Sequence, residues 1–168
     1  NGRETARVLA NHFQNNTMID TIVCLDGTEL IGAFMAEFLA DTGIMSVNSG
    51  KNISIITPDV NAYGQLVFMD STLRMIKHMQ VLVLAASVTT GQTITRAAEA
   101  VSYYGGTVRG VAAIFSNVEQ TAEGMEIFSI FQKEDLPNYQ AYLPSECPMC
   151  RKKMPIDAIV NSFGYSKL

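Results

Sequence analysis

The sequence has no tryptophan, only two histidines (His12 and His78) and only three cysteines in 168 residues. With so few histidines, no H-E-x-x-H is present, and no G-x-S-x-G turn presents a nucleophile. A hydrolase triad or a histidine metal centre therefore has little to build on. Three cysteines are too few for a disulfide framework and suit a reducing compartment. No apolar run reaches the roughly 18 residues that cross a bilayer, and residues 1–7 have neither the basic start nor the apolar stretch of a secretory signal. A soluble, cytoplasmic chain is expected. Positive charge is also scarce: 12 Lys and Arg against 16 Asp and Glu give a net charge of −4, and only Arg151, Lys152 and Lys153 cluster. That short run suits a solvated surface and supplies no basic face for nucleic acid. Neither G-x-x-x-x-G-K-[ST] nor G-x-G-x-x-G occurs, so neither a P-loop nor a dinucleotide fold is supported.

What remains is 48% hydrophobic and 17% charged, the composition of one globular domain with a substantial core. The sequence starts at Asn1 without a methionine, as a trimmed chain or a fragment would. "TIVCL" (21–25) predicts a strand that ends at the turn "DGTE". Leu30, Ile31, Phe34, Met35, Phe38 and Leu39 then recur at helical spacing until "DTG" (41–43) stops the helix. "ISIIT" (53–57) and "LVFM" (66–69) predict two more strands, joined by the turn-rich "PDVNAYGQ". "QVLVLAAS" (80–87) is continuously apolar, as a strand covered on both faces is. A second helix follows "VTTGQ", with Ile94, Ala97, Ala98, Val101 and Tyr104 on one side and Gly105 and Gly106 as its cap. "TVRGVAAIFS" (107–116) and "EIFSIF" (126–131) predict the last strands. Strands alternating with helices imply an α/β fold, a mainly parallel sheet with helices on both faces. From Leu136 onward, proline, polar residues and a C-x-x-C suggest a wrapping tail, residues 136–168.

In parallel α/β folds, ligands sit outside the carboxyl ends of the strands, which is where the loop after residue 86 must lie. Its chemistry suits an anion. Ser87, Thr89, Thr90 and Thr93 bring hydroxyl donors, Gly91 lets the backbone approach closely, and the free N–H groups of the helix start carry partial positive charge. A phosphate monoester fits this without a lysine. The plainer reading is a Thr-rich turn that only caps a helix.

"VLVLAASVTTGQT" (81–93) resembles the 5-phosphoribosyl-1-pyrophosphate motif of the type I phosphoribosyltransferases in every feature except its acidic pair. "VCLDGTELIGAFMAEFLA" is placed like that family's pyrophosphate loop and following helix, and "YYGGTVRGVAAIF" is similar to the helix end and strand after the motif. "YLPSECPMCRKKMPI" resembles the C-terminal "CPLC" segment of some orotate phosphoribosyltransferases, the branch this sequence is most like. The resemblance spans most of residues 20–155. It implies the type I phosphoribosyltransferase fold, a phosphoribosyl ligand and a homodimer. Thr89, Thr90, Gly91, Gln92 and Thr93, with Ser87, would cradle the 5-phosphate, and Asp26, Gly27 and Thr28 would lie against pyrophosphate. In the family, a base nitrogen displaces pyrophosphate from the ribose C1 through an oxocarbenium-like transition state, with Mg²⁺ bridging pyrophosphate and ribose hydroxyls.

The sequence departs from that pattern twice. Ala85 and Ala86 stand where the acidic pair would hold the ribose hydroxyls and favour the cation at C1. Losing one good electrostatic contact commonly costs about 3 kcal/mol of barrier, so losing two is severe. The region matching the family's mobile basic loop, around "TPDVNAYGQ", has no Lys or Arg between residues 54 and 73, and Asp59 and Asp70 would repel the ligand. Lys51 is a substitute cation or a solvated loop lysine. Cys24, inside an apolar strand, is a packed thiol. Cys147 and Cys150 have the spacing of half a zinc site, which a second subunit would have to complete because no histidine lies near.

The expectation is a phosphoribosyltransferase-like protein that binds a phosphoribosyl ligand, with catalysis weak or lost and no resident cofactor. Its rivals are an active orotate phosphoribosyltransferase-like enzyme of pyrimidine nucleotide synthesis that uses Mg²⁺, and an interaction domain whose loop is empty.

Overall fold

A computed structural model of the chain describes residues 1–41, 46–143, 145–161 and 164–168. Its centre is a parallel sheet of five strands, in the order β2-β1-β5-β6-β7. These are β1 (Thr21–Cys24), β2 (Ser54–Ile56), β5 (Gln80–Val88), β6 (Thr107–Ser116) and β7 (Ile127–Gln132); β3 (Asp59–Val60) and β4 (Leu66–Val67) form a separate antiparallel hairpin. Helices α1 (Gly2–Phe13) and α2 (Glu29–Asp41) cover one face, and α3 (Gln92–Tyr103) covers the other.

The central strand shows why both faces must be covered. Val81, Val83 and Ala85 of β5 pack with Ile94, Ala97 and Val101 of α3. Their neighbours Leu82 and Leu84 pack with Leu9 and Phe13 of α1 and Met35 and Leu39 of α2. The two-residue alternation of a strand thus feeds two cores at once. Burying Leu82 and Leu84 completely contributes roughly 2 kcal/mol each. Behind α3 the chain turns sharply. Gly105 takes φ +82°, Gly106 donates its N–H to the Val101 carbonyl, and Gly105 donates to Ser102, the hydrogen-bond pattern of a glycine-terminated helix.

Three expectations need correction. "LVFM" is not a strand of the main sheet: Leu66 and Val67 pair with Val60 and Asp59, and the chain then enters a 3-10 turn, Asp70–Met75. Four residues between turn signals are too few to separate a hairpin arm from a sheet strand. Leu30 lies outside the α2 stripe, 65% exposed, while Gly32, Met35 and Leu39 are buried. Helix α1 was not expected at all, although Ala6, Leu9, Ala10 and Phe13 recur at i, i+3, i+4 and i+7 and are buried. The stop at "DTG" falls partly outside the described residues; α2 is helical to Asp41.

After Gln132 the chain passes Tyr139, whose ring meets Phe115 edge-on, and reaches α4 (Pro148–Arg151). It ends in a second hairpin, β8 (Ala158–Asn161) and β9 (Gly164–Lys167), with Ile159, Val160 and Tyr165 exposed.

Candidate functional site

All five strands of the sheet are parallel, so the connections leaving β1 and β5 emerge at the same end, and β1 pairs directly with β5. There, Asp26, Ala85, Ser87, Thr89, Thr90, Gly91, Gln92 and Thr93 line one small cup of about 30 Å³. The loop and the start of α3 leave many donors free. Gly91 occupies the N-cap of α3 with no side-chain cap. The first helical N–H groups, from Gln92 onward, have no partner within the helix. The hydroxyls of Ser87, Thr89, Thr90 and Thr93 make no hydrogen bond within the described residues. Ser87, Thr89, Gln92 and Thr93 are exposed, so these donors face solvent.

The loop is held from behind. Asn117, following β6, donates its backbone N–H to Val88 at 2.8 Å and its side-chain amide to the Thr89 carbonyl at 3.2 Å. Gly91 takes φ +80°, and a Cβ there would stand 3.5 Å from the Cα of Thr121. Thr95, in the first turn of α3, donates to Glu123 at 2.6 Å. Asn117, Thr121 and Glu123 were not singled out from the sequence. Only the pairing of β5 with β6 brings their loop behind the motif.

The connection leaving β1 places its three residues differently. Asp26 and Gly27 both adopt left-handed backbone, at φ +56° and +78°. Partial burial raises the Asp26 carboxyl above the ordinary carboxylate range. Thr28 is buried, and its hydroxyl donates to the carbonyls of Leu25 at 2.8 Å and Leu84 at 3.2 Å. It ties the loop to β5 instead of facing the cup, whereas Asp26 brings its side chain to the rim. Glu29 accepts from Thr57 at 3.0 Å. Cys24 is fully buried, and desolvation pushes its thiol up to about 12.

Of the two alanines, Ala85 lies in the cup wall, buried and paired with Ala113 of β6, and Ala86 is half-buried. The region matched to the mobile basic loop is the short β3–β4 hairpin. Asn61 closes it: its carboxamide oxygen accepts the N–H groups of Tyr63 and Gln65 at 3.0 Å each, and its own N–H donates to the Gln65 carbonyl. Lys51 is no substitute cation. It pairs with Asp20 at 2.8 Å, just before β1, at the opposite end of the sheet. Larger cavities lie elsewhere, the two biggest being about 630 Å³ around His12, Arg109 and Phe128 and about 700 Å³ between the hairpin and α3, and no residue of the loop lines either. Cys147 and Cys150 flank and enter α4, outside the cup.

Mg²⁺ takes oxygen ligands, usually one or two carboxylates with substrate phosphates and water. Asp26 is the one carboxylate lining the cup, and no three His, Cys, Asp or Glu side chains cluster among the described residues. This donor set fits the ion only as one carried by a ligand's own oxygens.

No family model matches the chain. An orotate phosphoribosyltransferase of Chlorobaculum parvum is 35% identical over 178 residues, spanning 93% of this chain and 90% of the relative. The structure of Mycobacterium tuberculosis orotate phosphoribosyltransferase in complex with 5-phospho-alpha-D-ribosyl 1-diphosphate matches 80% of this chain and 75% of its own, with TM-score 0.56 and 19% identity. Trypanosoma brucei adenine phosphoribosyltransferase, in complex with AMP, pyrophosphate and ribose-5-phosphate, matches 91% and 76%, with TM-score 0.55 and 15% identity. The two structures establish the fold, and the curated relative establishes the kinship. The chain belongs to the type I phosphoribosyltransferases, close to the orotate phosphoribosyltransferases.

Proposed function

We propose that this protein binds a phosphoribosyl ligand by its 5-phosphate and turns it over weakly or not at all. The observation that carries the reading is the convergence of the unpartnered hydroxyls of Thr89, Thr90 and Thr93 on an uncapped helix start. Such a surface meets a phosphate with backbone and hydroxyl donors, and the helix partial charge adds to the attraction. Ser87, Gly91 and Gln92 complete the cradle. Asp26 and Gly27 stand beside it, towards the ligand's C1 substituent.

Loss of turnover follows from charge. Ala85 and Ala86 offer methyl groups where an oxocarbenium-like transition state needs negative charge, and no cation lies between residues 54 and 73 to neutralise pyrophosphate. Each missing contact costs about 3 kcal/mol of barrier. Bound Mg²⁺ would supply charge neutralisation of pyrophosphate; the chain's own part would be the Asp26 carboxylate. The rest of the setting is a cytoplasmic protein, one domain over residues 1–168 with a tail from 136, acting as a homodimer.

One observation favours an active transferase of pyrimidine nucleotide synthesis instead: Asp26 does bring a carboxylate to the cup, one strand away from Ala85. Calorimetric titration with 5-phosphoribosyl-1-pyrophosphate, ribose 5-phosphate and orotidine monophosphate, with and without Mg²⁺ and repeated on Thr90→Asp, separates the readings. Mg²⁺-independent binding that Thr90→Asp abolishes is the expected result. Pyrophosphate release on adding orotate would establish the enzyme, and no binding by any of the three ligands would leave an interaction domain.

A further inference from the structure

The C-x-x-C of the tail plays no part in the cup. Cys147 and Cys150 bracket a single helical turn, with Pro148 and Met149 between them. The Cys147 sulfur accepts the backbone N–H of Cys150 at 3.3 Å, so the first thiol lies over the turn that carries the second. Cys147 is half-buried and Cys150 exposed, so reagents can reach both. The third cysteine, Cys24, is fully buried in the other core and cannot compete. Among the described residues no third metal-ligating side chain joins the pair, so one chain does not supply the four ligands of a structural zinc site.

We propose that Cys147 and Cys150 form a reversible dithiol–disulfide couple within one chain. The oxidant is a low-molecular-weight disulfide. The Cys147 thiolate attacks one of its sulfurs, forming a mixed disulfide and releasing one thiolate. Cys150 then loses its proton to solvent and attacks the Cys147 sulfur, closing the protein disulfide and releasing the second thiolate. Two thiols are oxidised, one disulfide is reduced, and the products are two small thiols.

The environment sets the order. A hydrogen bond from the Cys150 thiol, then the N–H groups of Cys150 and Met149, and the nearby Arg151 charge hold Cys147 below the usual thiol range. The same hydrogen bond, with the adjacent Cys147 charge, pushes Cys150 up. The Cys150 N–H that donates to the Cys147 sulfur at the start of α4 stabilises its thiolate, which makes Cys147 the attacking sulfur and Cys150 the resolving one.

The test equilibrates the full chain across glutathione redox buffers, traps free thiols with a maleimide and reads intact mass. We expect both tail thiols to vanish together in one two-electron transition, with the chain remaining monomeric in the non-reducing denatured state. Cys150→Ser should instead stop at a glutathione adduct on Cys147. In the reduced protein, peptide mapping should show Cys147 alkylated roughly five-fold faster than Cys150 at neutral pH. Any of three results would overturn the proposal: covalent dimers forming in place of the intrachain bond, thiols that stay free where those of the denatured chain oxidise, or half an equivalent of zinc per chain whose removal is required before oxidation. The last would establish a four-cysteine zinc bridge between two copies.

Discussion

Asp26, on the connection leaving β1, and Ala85, on the adjacent parallel strand β5, line the same cup, one with a carboxylate and the other with a methyl group. The negative charge absent from β5 stands one strand over, on a backbone held at φ +56°. A carboxylate so placed opposes a phosphate dianion unless a proton or a cation intervenes.

Asp26→Asn should therefore tighten binding of ribose 5-phosphate without Mg²⁺, by roughly three- to ten-fold at low salt. Calorimetry at two ionic strengths reads this, and weaker binding would show that Asp26 accepts a ligand hydroxyl instead. The pH dependence has a definite sign. Because the folded-state pKa is raised, the protonated form is favoured by folding. Stability from this group is therefore greatest at low pH and declines as pH rises from the unfolded value through the folded one. Denaturation curves of Asp26→Asn should lack that decline.

Restoring the charge tests the proposed loss of catalysis. Ala85→Asp with Ala86→Asp should bring Mg²⁺ dependence to binding of 5-phosphoribosyl-1-pyrophosphate. It should also cost about 2–4 kcal/mol of stability, because position 85 is 1% exposed and packs with the apolar Ile94 and Ala97 of α3. Both effects are measured on the same sample, by titration and by urea unfolding.

Gly91→Ala should lower stability by about 1–2 kcal/mol, since φ +80° is costly for a residue with a Cβ. The space beside it is ordinary contact, so the penalty is conformational. Phosphate binding should weaken as well if the loop shifts to relieve it; thermal unfolding and titration are the readouts.

Lys51→Met should leave ligand affinity unchanged, because Lys51 pairs with Asp20 at the far end of the sheet. It should cost about 1 kcal/mol of stability. Burial alone would raise the Asp20 carboxyl, but the Lys51 ammonium and the Gln80 N–H hold it lower. That contribution is present above the unfolded carboxylate pKa and lost as pH falls through the lower folded one. Comparing acid unfolding of the two proteins checks the sign.

The main sheet was legible because its strands are apolar on both faces: "QVLVLAAS" and "TVRGVAAIFS" match β5 and β6 to within a residue. Helix α1 was hidden by its charged residues, although its buried stripe was in plain order. For the short segments, period alone could not tell a hairpin arm from a sheet strand, and Leu66 and Val67 went to the wrong sheet. The TTG loop announced itself through residue type. Its bracing by Asn117 and Glu123 did not, since neighbours across β5 and β6 are set by topology and not by sequence distance. Lys51 shows the converse: adjacency to a motif along the chain placed it near the site on paper and across the molecule in space.

The hairpin closed by Asn61 has a kinetic meaning. It ends in a turn from Asn61 to Gln65 instead of a long flexible arm, and Ser87, Thr89, Gln92 and Thr93 remain open to water. Under the proposed function, a ligand would reach these solvent-facing donors directly, and its residence time would be set by the loop's own hydrogen bonds. Occupancy then follows the free concentration of the ligand closely, the behaviour of a gauge and not of a trap.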